Sequence, residues 1–429
     1  MIDGSIAVPA SKPGLKAKIT TFFAPVPLLA WLVAALAAVG LEHLIGEQVA
    51  DLLGLPKIPV LFGLLFALKD PQMIPGALAY VVLVYGVPTV LIGRLLTRPA
   101  NRVAAGLLKL PMIVPVVVHL LLVYGVLHVW TSISAYQLVT VKLTLIAIIL
   151  TLSLNVINGY MGEFSCSHPG FMALGAYAAS VFTLVLFTND RFFGLAWLPT
   201  GLGPWLFPVG LVVGGAVAAI GALAIAIPSF KTRGDYLAVI SLAFLFIVKS
   251  MVENMEIIGG PRGLGSQPDY ASLPVVFAWT VVCVWMVTNF VTSILGKALN
   301  AVRDNEAAAE AMTVNTRRTK IVGFLFGAFW AGVAGGLYAH VIRYINPGTF
   351  SLQSLADMLA MVYFGGLNSV YGSILGAVSL NLLSEALRPL EIFKWIIIPL
   401  LLILMMIFRP TGLIAFKEFD VKKLIAPKR

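Results

Sequence analysis

The chain is poor in charge: Asp, Glu, Lys and Arg make up only 11% of its 429 residues, against 59% hydrophobic residues. Soluble domains carry about 25% charged residues, so a soluble enzyme is excluded. Cysteine is nearly absent. Cys166 and Cys283 lie in segments far apart, which leaves no disulfide framework and no metal-ligand cluster, and both are expected to be free thiols. A phosphate-cradling loop is missing too, because Gly296-Lys297 is followed by Ala298 and lacks the upstream glycine. No cofactor is implied.

What the chain does hold is apolar runs of the length a membrane demands, about 20 residues each. Between charged or turn-rich punctuation, spans are expected at 22–40, 72–93, 110–130, 139–157, 169–187, 204–228, 236–251, 273–295, 321–342, 354–368, 371–387 and 392–408. The run from Pro59 to Leu68 is too short to cross and reads as interfacial or re-entrant. The pair flanking Gly365-Gly366-Leu367-Asn368-Ser369 also reads as one broken element that dips in and returns. With 39 Gly and 25 Pro, broken or closely packed helices are expected. The fold class is thus an all-α polytopic membrane protein of about 10–12 transmembrane helices, some broken or re-entrant.

Lys and Arg are retained on the cytoplasmic side of membrane spans. With the amino terminus inside, most of the 29 basic residues fall in inward segments: Lys12, Lys16 and Lys18; Arg94, Arg98, Arg102 and Lys109; Lys231 and Arg233; the 297–320 stretch; and the end of the chain from Arg409. Glu42, Glu47, Asp51, Glu253, Glu256 and Asp269 fall in outward segments. Both termini are therefore expected to be cytoplasmic. This asymmetry accounts for the formal charge of +10, and no nucleic-acid partner is implied. A signal peptide is the alternative for the first run, which three lysines precede and where Ala35-Leu36-Ala37 resembles a cleavage site, but the run is long for one.

Ionisable residues near the bilayer midplane usually carry the coupling of a secondary transporter. The expected spans hold few: Lys142, Lys249 and Lys394 near outward ends, Asp357 and Glu385 near others, and His119, His128 and His340. Ion coupling is poorly supported, and any motor must be another subunit, gripped from the cytoplasm.

One inward loop has a structure of its own. Residues 296–320 are rich in Ala, Glu and Met, which favours helix. Glu306 and Glu310 share a face, and Arg303, three before Glu306, is placed to pair with it for about 0.2–0.5 kcal/mol. Val302, Ala309 and Met312 form a narrow apolar stripe. Composition fits two readings: a helix inserted into a partner's groove, or a solvated spacer that only enforces topology.

The pattern Ala301-x-Arg303-x-x-Glu306-x-Ala308 resembles the coupling segment of ABC importer permeases, specifically the branched-chain amino-acid permeases. Six further stretches agree in order. They are Asn155 with Gly159-Tyr160-x-Gly162-x-x-Ser165-x-x-His168-x-x-Phe171-x-x-x-Gly175-Ala176-Tyr177; Arg233-Gly234-Asp235-Tyr236; Gly259-Gly260-Pro261-x-Gly263; Ala331-Gly332-x-Ala334-Gly335-x-Leu337-Tyr338-Ala339; Gly365-Gly366-Leu367-x-Ser369; and Arg409-Pro410-x-Gly412-Leu413. Each is weak alone, but together, in order, they are specific. The resemblance covers about 139–415. It implies 1–138 as an amino-terminal extension with about three spans, a permease core over 139–415 and a basic cytoplasmic tail over 416–429. The RGDY stretch and the Gly-rich loop after the next span are similar to the LivM branch.

The resemblance implies a non-enzymatic transport subunit in a bacterial inner membrane, surrounded by lipid. Its partners would be a LivH-like permease, two cytoplasmic ATPase subunits and a periplasmic binding protein that performs the tight recognition. Arg303, Asp304, Glu306, Ala307, Ala308 and Glu310 would form the ATPase-coupling loop. Gly159, Gly162, Gly365 and Gly366 are candidates for helix breaks along the path, and Arg262 for contact with the binding protein. The chain departs from the family pattern at Phe246, where Glu is frequent; at Arg262, where Asn is; at Thr313, where glycine follows the coupling stretch; and at Cys166 and Ser167. Branched-chain amino acids are the implied substrate, with urea, amides or other amino acids as alternatives. A self-sufficient facilitator or channel is the rival class.

Overall fold

The computed structural model describes residues 23–55, 70–188, 194–230 and 236–428. Among them nine helices are long and apolar enough to cross a membrane, and the only strands are two residues long. The chain is an all-α multi-pass membrane protein. The 59–68 run, the basic residues 12–18, and Lys231, Arg233 and Asp235 lie outside the described residues.

The chain divides into two compact units. One runs to Ile133 and takes in the segment from Asp420 to the end; the other is Ser134–Phe419. The first holds α1 (Leu28–Leu52), α2 (Pro71–Leu95), α3 (Thr97–Leu107) and α4 (Ile113–Ser132). Helix α1 runs beyond the expected end of the span at residue 40. The helix continues to Leu52 and buries Glu42 completely. Its carboxylate accepts the Tyr85 hydroxyl, whose oxygen in turn takes Trp130 Nε1–H at 3.3 Å. Tyr85 lies in a π-helical stretch, Val81–Gly86. A hydrogen-bonded carboxyl is tolerated inside a helix bundle, so the polar residues after Gly40 do not end the helix.

The second unit is built around α5 (Ala135–Asn155), which continues as a π-helical turn over Val156–Met161. Its apolar window is 94% buried, against 11% for α4. Protein surrounds α5 on all sides, whereas α4 leaves its apolar side chains for lipid or a partner. After α5 come α6 (His168–Phe187), α7 (Gly203–Ser229), α8 (Tyr236–Asn254) and α9 (Leu273–Thr292), of which α9 packs directly on α5. Two short helices follow, α10 (Ile294–Asp304) and α11 (Glu306–Ala311), then the long α12 (Thr316–Ile342). Last come α13 (Leu352–Gly365), α14 (Val370–Ala386) and α15 (Glu391–Phe408). Helices α13 and α14 have 14 and 17 residues, so at about 1.5 Å per residue neither spans a hydrocarbon core of about 30 Å in a straight crossing.

Small residues bring α6, α7 and α12 together. A Cβ on Gly175 would strike the backbone of Gly332; one on Gly332 would lie 2.8 Å from the Gly214 carbonyl; one on Gly214 would lie 2.7 Å from the Gly175 carbonyl. Three helices therefore meet backbone to backbone, the arrangement small residues permit in a membrane where dispersion contacts hold helices together. The aromatic pair Phe171–Phe324 (5.5 Å) and the pair Thr183–His340 (2.9 Å) lie at opposite ends of the α6–α12 contact, so the two helices run parallel. Two histidines are held by their own helices: Nδ1–H of His340 donates to the Gly336 carbonyl (2.8 Å), and Nδ1–H of His119 to that of Pro115 (2.6 Å).

Substituting Gly175 by Ala is expected to destabilise the chain by about 1–3 kcal/mol, as overpacking does, because the added methyl meets backbone. Gly40→Ala, with no atom within 4 Å of the new Cβ, is the control and should not lower the thermal midpoint in detergent.

Candidate functional site

The expected coupling loop forms two helices. Ser293 ends α9 and caps α10, its hydroxyl accepting the Gly296 N–H at 3.4 Å. A side chain at 296 would collide with the Phe290 and Val291 carbonyls, so glycine makes the tight corner possible. Helix α10 buries Gly296, Leu299 and Val302. Asn305 then adopts an extended conformation (φ −162°, ψ 105°) and caps α11 through its side chain, which accepts the Ala308 N–H at 3.0 Å.

That break overturns two expectations. The Arg303–Glu306 pair requires a continuous helix, and Asn305 removes it. Arg303 instead binds Asp304 (2.7 Å), and Glu306 binds Lys320 (2.8 Å). Nor does Met312 continue the apolar stripe of Val302 and Ala309. Those two are buried, whereas Met312 is 77% exposed, because α11 ends before it.

Helix α11 terminates in a Schellman motif: the Thr313 N–H donates to the Glu310 carbonyl (3.0 Å) and the Val314 N–H to the Ala309 carbonyl (3.1 Å). The motif places Thr313 in the left-handed region at φ +67°, where a β-branched residue is strained. This is the position at which the family pattern has glycine.

Arg303 reaches out of the loop into the rest of the unit. Its Nη1 donates to the Gly159 carbonyl at 3.3 Å, its guanidinium lies 5.3 Å from the centre of the Phe416 ring, and its aliphatic stem packs on Gly162. Gly162, at φ +76°, closes the π-helical turn. The chain then runs without helix to Ser167. Burial pushes the Cys166 thiol above its ordinary range, against the pull of the Ser241 hydroxyl, and both cysteines are free and buried.

Lys320, in the second turn of α12, makes a second link. Its ammonium binds Glu163 at 2.7 Å and Glu306 at 2.8 Å, with only 12% of its side chain exposed. Glu163 follows Gly162 directly. The loop helices are therefore fastened to the π-helical turn twice, through Arg303 to Gly159 and through Glu306 and Lys320 to Glu163. Sequence reasoning named Arg303 and Glu306 but missed Lys320 and Glu163, which are remote in sequence and brought together only by the fold.

The other candidate glycines belong to the same end of the unit. Asn155 organises them: its Nδ2 donates to Ser373 Oγ (2.6 Å) and to the Ser369 and Gly366 carbonyls (3.1 and 3.4 Å), and its Oδ1 accepts the Asn368 N–H (3.1 Å). A Cβ on Gly159 would strike that Asn155 side chain. The turn between α13 and α14 is stitched to the segment after α15, since the Leu413 and Ile414 N–H groups donate to the Phe364 and Gly365 carbonyls (3.0 and 2.9 Å). At Gly365 and Gly366 an added Cβ would meet the backbone of Gly372 and Ile414.

Arg262 lies at the opposite end of α12, about 40 Å away for 27 residues. Its side chain is exposed. The loop beneath is fixed by the antiparallel pairing of Leu264 with Ile345 and Gly265 with Tyr344. Two further bonds hold it: the Tyr344 hydroxyl donates to the Arg262 carbonyl (2.6 Å), and Arg343 Nε to that of Gln267 (3.1 Å).

Residues 136–408 match the family described as branched-chain amino acid transport system / permease component. The chain belongs to that family. Similar proteins include LivM, the permease protein of the high-affinity branched-chain amino acid transport system of Escherichia coli K12, 30% identical over 315 residues, 65% of this chain and 70% of LivM. LivH, a permease protein of the same system, is 29% identical over 150 residues, 34% of this chain and 48% of LivH. A probable LivM of Methanocaldococcus jannaschii is 28% identical over 228 residues, 46% of this chain and 65% of that protein. No solved structure matches the chain.

Thr313→Gly is expected to stabilise the protein by about 1 kcal/mol, the scale of the left-handed penalty for a residue with a Cβ. A rise in thermal midpoint checks this. A fall would mean that the Thr313 side chain contributes a contact worth more than the strain.

Proposed function

We propose that this chain is a conducting permease subunit of an ABC importer for branched-chain amino acids in a bacterial inner membrane. Family membership supports the class, and the names of its relatives support the substrate. In this reading the end of the unit that carries Lys320 faces the cytoplasm, as do both termini, and the Arg262 loop faces out.

The observation that carries the reading is the double fastening of α10 and α11 to the π-helical turn. This segment exposes Ala307, Ala308, Ala311 and Met312 together with the charged Asp304, Glu310, Arg317 and Arg318. Small side chains and an exposed methionine, with charge nearby, suit insertion into a groove on another protein. ATPase subunits gripping that surface would move α10 and α11 as a pair. Arg303 and Lys320 would carry the displacement to residues 156–163. The helix break there, with that between α13 and α14, is the element we assign to opening and closing. A LivH-like permease would complete the membrane channel. A periplasmic binding protein would deliver the solute at the Arg262 loop through charge-assisted contacts.

Lys320→Met removes both ion pairs of the second link. The variant complex, reconstituted with its ATPase subunits and binding protein, should hydrolyse ATP at close to the original rate while uptake of leucine falls by about tenfold or more, equivalent to roughly 1.4 kcal/mol of lost coupling. Glu306→Gln, which spares the pair with Glu163, should fall between. Parallel loss of hydrolysis and uptake with normal assembly would show that the link does not transmit the motion. Leucine uptake driven by an ion gradient in the chain alone would overturn the importer reading.

A further inference from the structure

We propose that the cavity between α13, α14 and α15 is a low-affinity receiving site for a small zwitterion with an aliphatic side chain, in which Asp357 takes the ammonium group. The proposal rests on the functional reading above and adds a place where the chain itself handles the solute. The cavity has a volume of about 170 Å³ and is lined by Asp357, Ala360 and Met361 of α13, Leu380, Asn381 and Ser384 of α14, and Ile398 of α15.

The lining divides by chemistry. Asp357, Asn381 and Ser384 present a carboxylate, an amide and a hydroxyl, and among the described residues none of the three side chains is hydrogen-bonded or ion-paired with another group. Lys394 is near enough for its charge to act on Asp357, but its ammonium lies over the Trp395 ring at 5.4 Å. A carboxylate within a membrane-embedded helix is costly without a partner and is a functional-site candidate for that reason. A primary ammonium is the partner its charge selects. The Asn381 amide and the Ser384 hydroxyl supply N–H and O–H donors for the carboxylate of the same molecule.

Ala360, Met361, Leu380 and Ile398 supply the apolar half, and the pliable thioether of Met361 suits side chains of differing branching. Size points the same way: about 170 Å³ is well below the roughly 300–1,000 Å³ of pockets for drug-sized ligands, so a single amino acid is the appropriate scale. A bare divalent cation fits poorly, since such ions need about six or more oxygen ligands, whereas Asp357, Asn381 and Ser384 are the lining residues with side-chain oxygens.

The test uses the full-length chain carrying Ala360→Cys, or Leu380→Cys if the first does not fold, each lining the cavity without removing a polar group assigned to the solute, labelled with a small charged methanethiosulfonate. Cys166 and Cys283 are buried, so labelling reports the cavity. Leucine at about 10 mM is expected to slow labelling roughly tenfold, as a site with a dissociation constant near 1 mM would require. N-acetyl-leucine, which lacks the ammonium, should give no protection, and Asp357→Asn should abolish protection by leucine. Labelling indifferent to leucine, equal protection by N-acetyl-leucine, or protection that survives Asp357→Asn overturns the proposal. Leucine uptake by the wild-type reconstituted complex is measured alongside. Uptake without protection overturns this site alone, whereas failure of uptake overturns the functional reading beneath it.

Discussion

The second unit depends on the contact of three glycine-bearing backbones. Gly175, Gly214 and Gly332 let α6, α7 and α12 approach until main chain meets main chain, and in a lipid solvent such packing is the principal source of helix association. With its middle clamped in this way, α12 acts as a rod. At one end Lys320 gathers the loop helices and the π-helical turn; at the other, Arg343 and the Tyr344–Ile345 strand hold the opposite loop.

The membrane also governs how the chain uses polar groups. Asn155 satisfies four backbone or side-chain partners at the junction of two helix breaks. Irregular backbone at membrane depth survives only where its N–H and C=O groups find protein or water, and a single amide side chain supplies several of those partners. Glu42 is accommodated through Tyr85 and Trp130 in the other unit by the same logic. Both residues look expensive in a list of membrane-segment polar groups, and both find hydrogen-bond partners within their own unit.

Much of this architecture was legible in the sequence because hydropathy is a local signal. The apolar runs fix the class of fold, and the ordered Gly and Ala motifs fix the family. Legibility fails where the structure turns on one residue against the trend of its neighbours. Asn305 splits a stretch whose composition favours one helix, redirecting Arg303 to Asp304 and leaving Glu306 for Lys320. Glu42 lies beyond the point where a hydropathy window ends, yet it is among the most buried residues of its helix. The Lys320–Glu163 bridge joins residues 157 positions apart, and pairing at that range leaves no periodic trace. Thr313 is a different case: its departure from glycine is visible in the sequence, but the left-handed turn that makes the departure matter is not.

The small clasp beside Arg262 has a consequence for kinetics. Three features, the β bridge, the Tyr344 hydroxyl and the Arg343 guanidinium, tie that loop to the end of α12. A visiting protein would find the surface already shaped, so docking would spend little entropy on ordering it. Encounter would then be paced by diffusion and by the salt-screened attraction of charges, which, under the function proposed above, would suit a partner that docks and departs repeatedly.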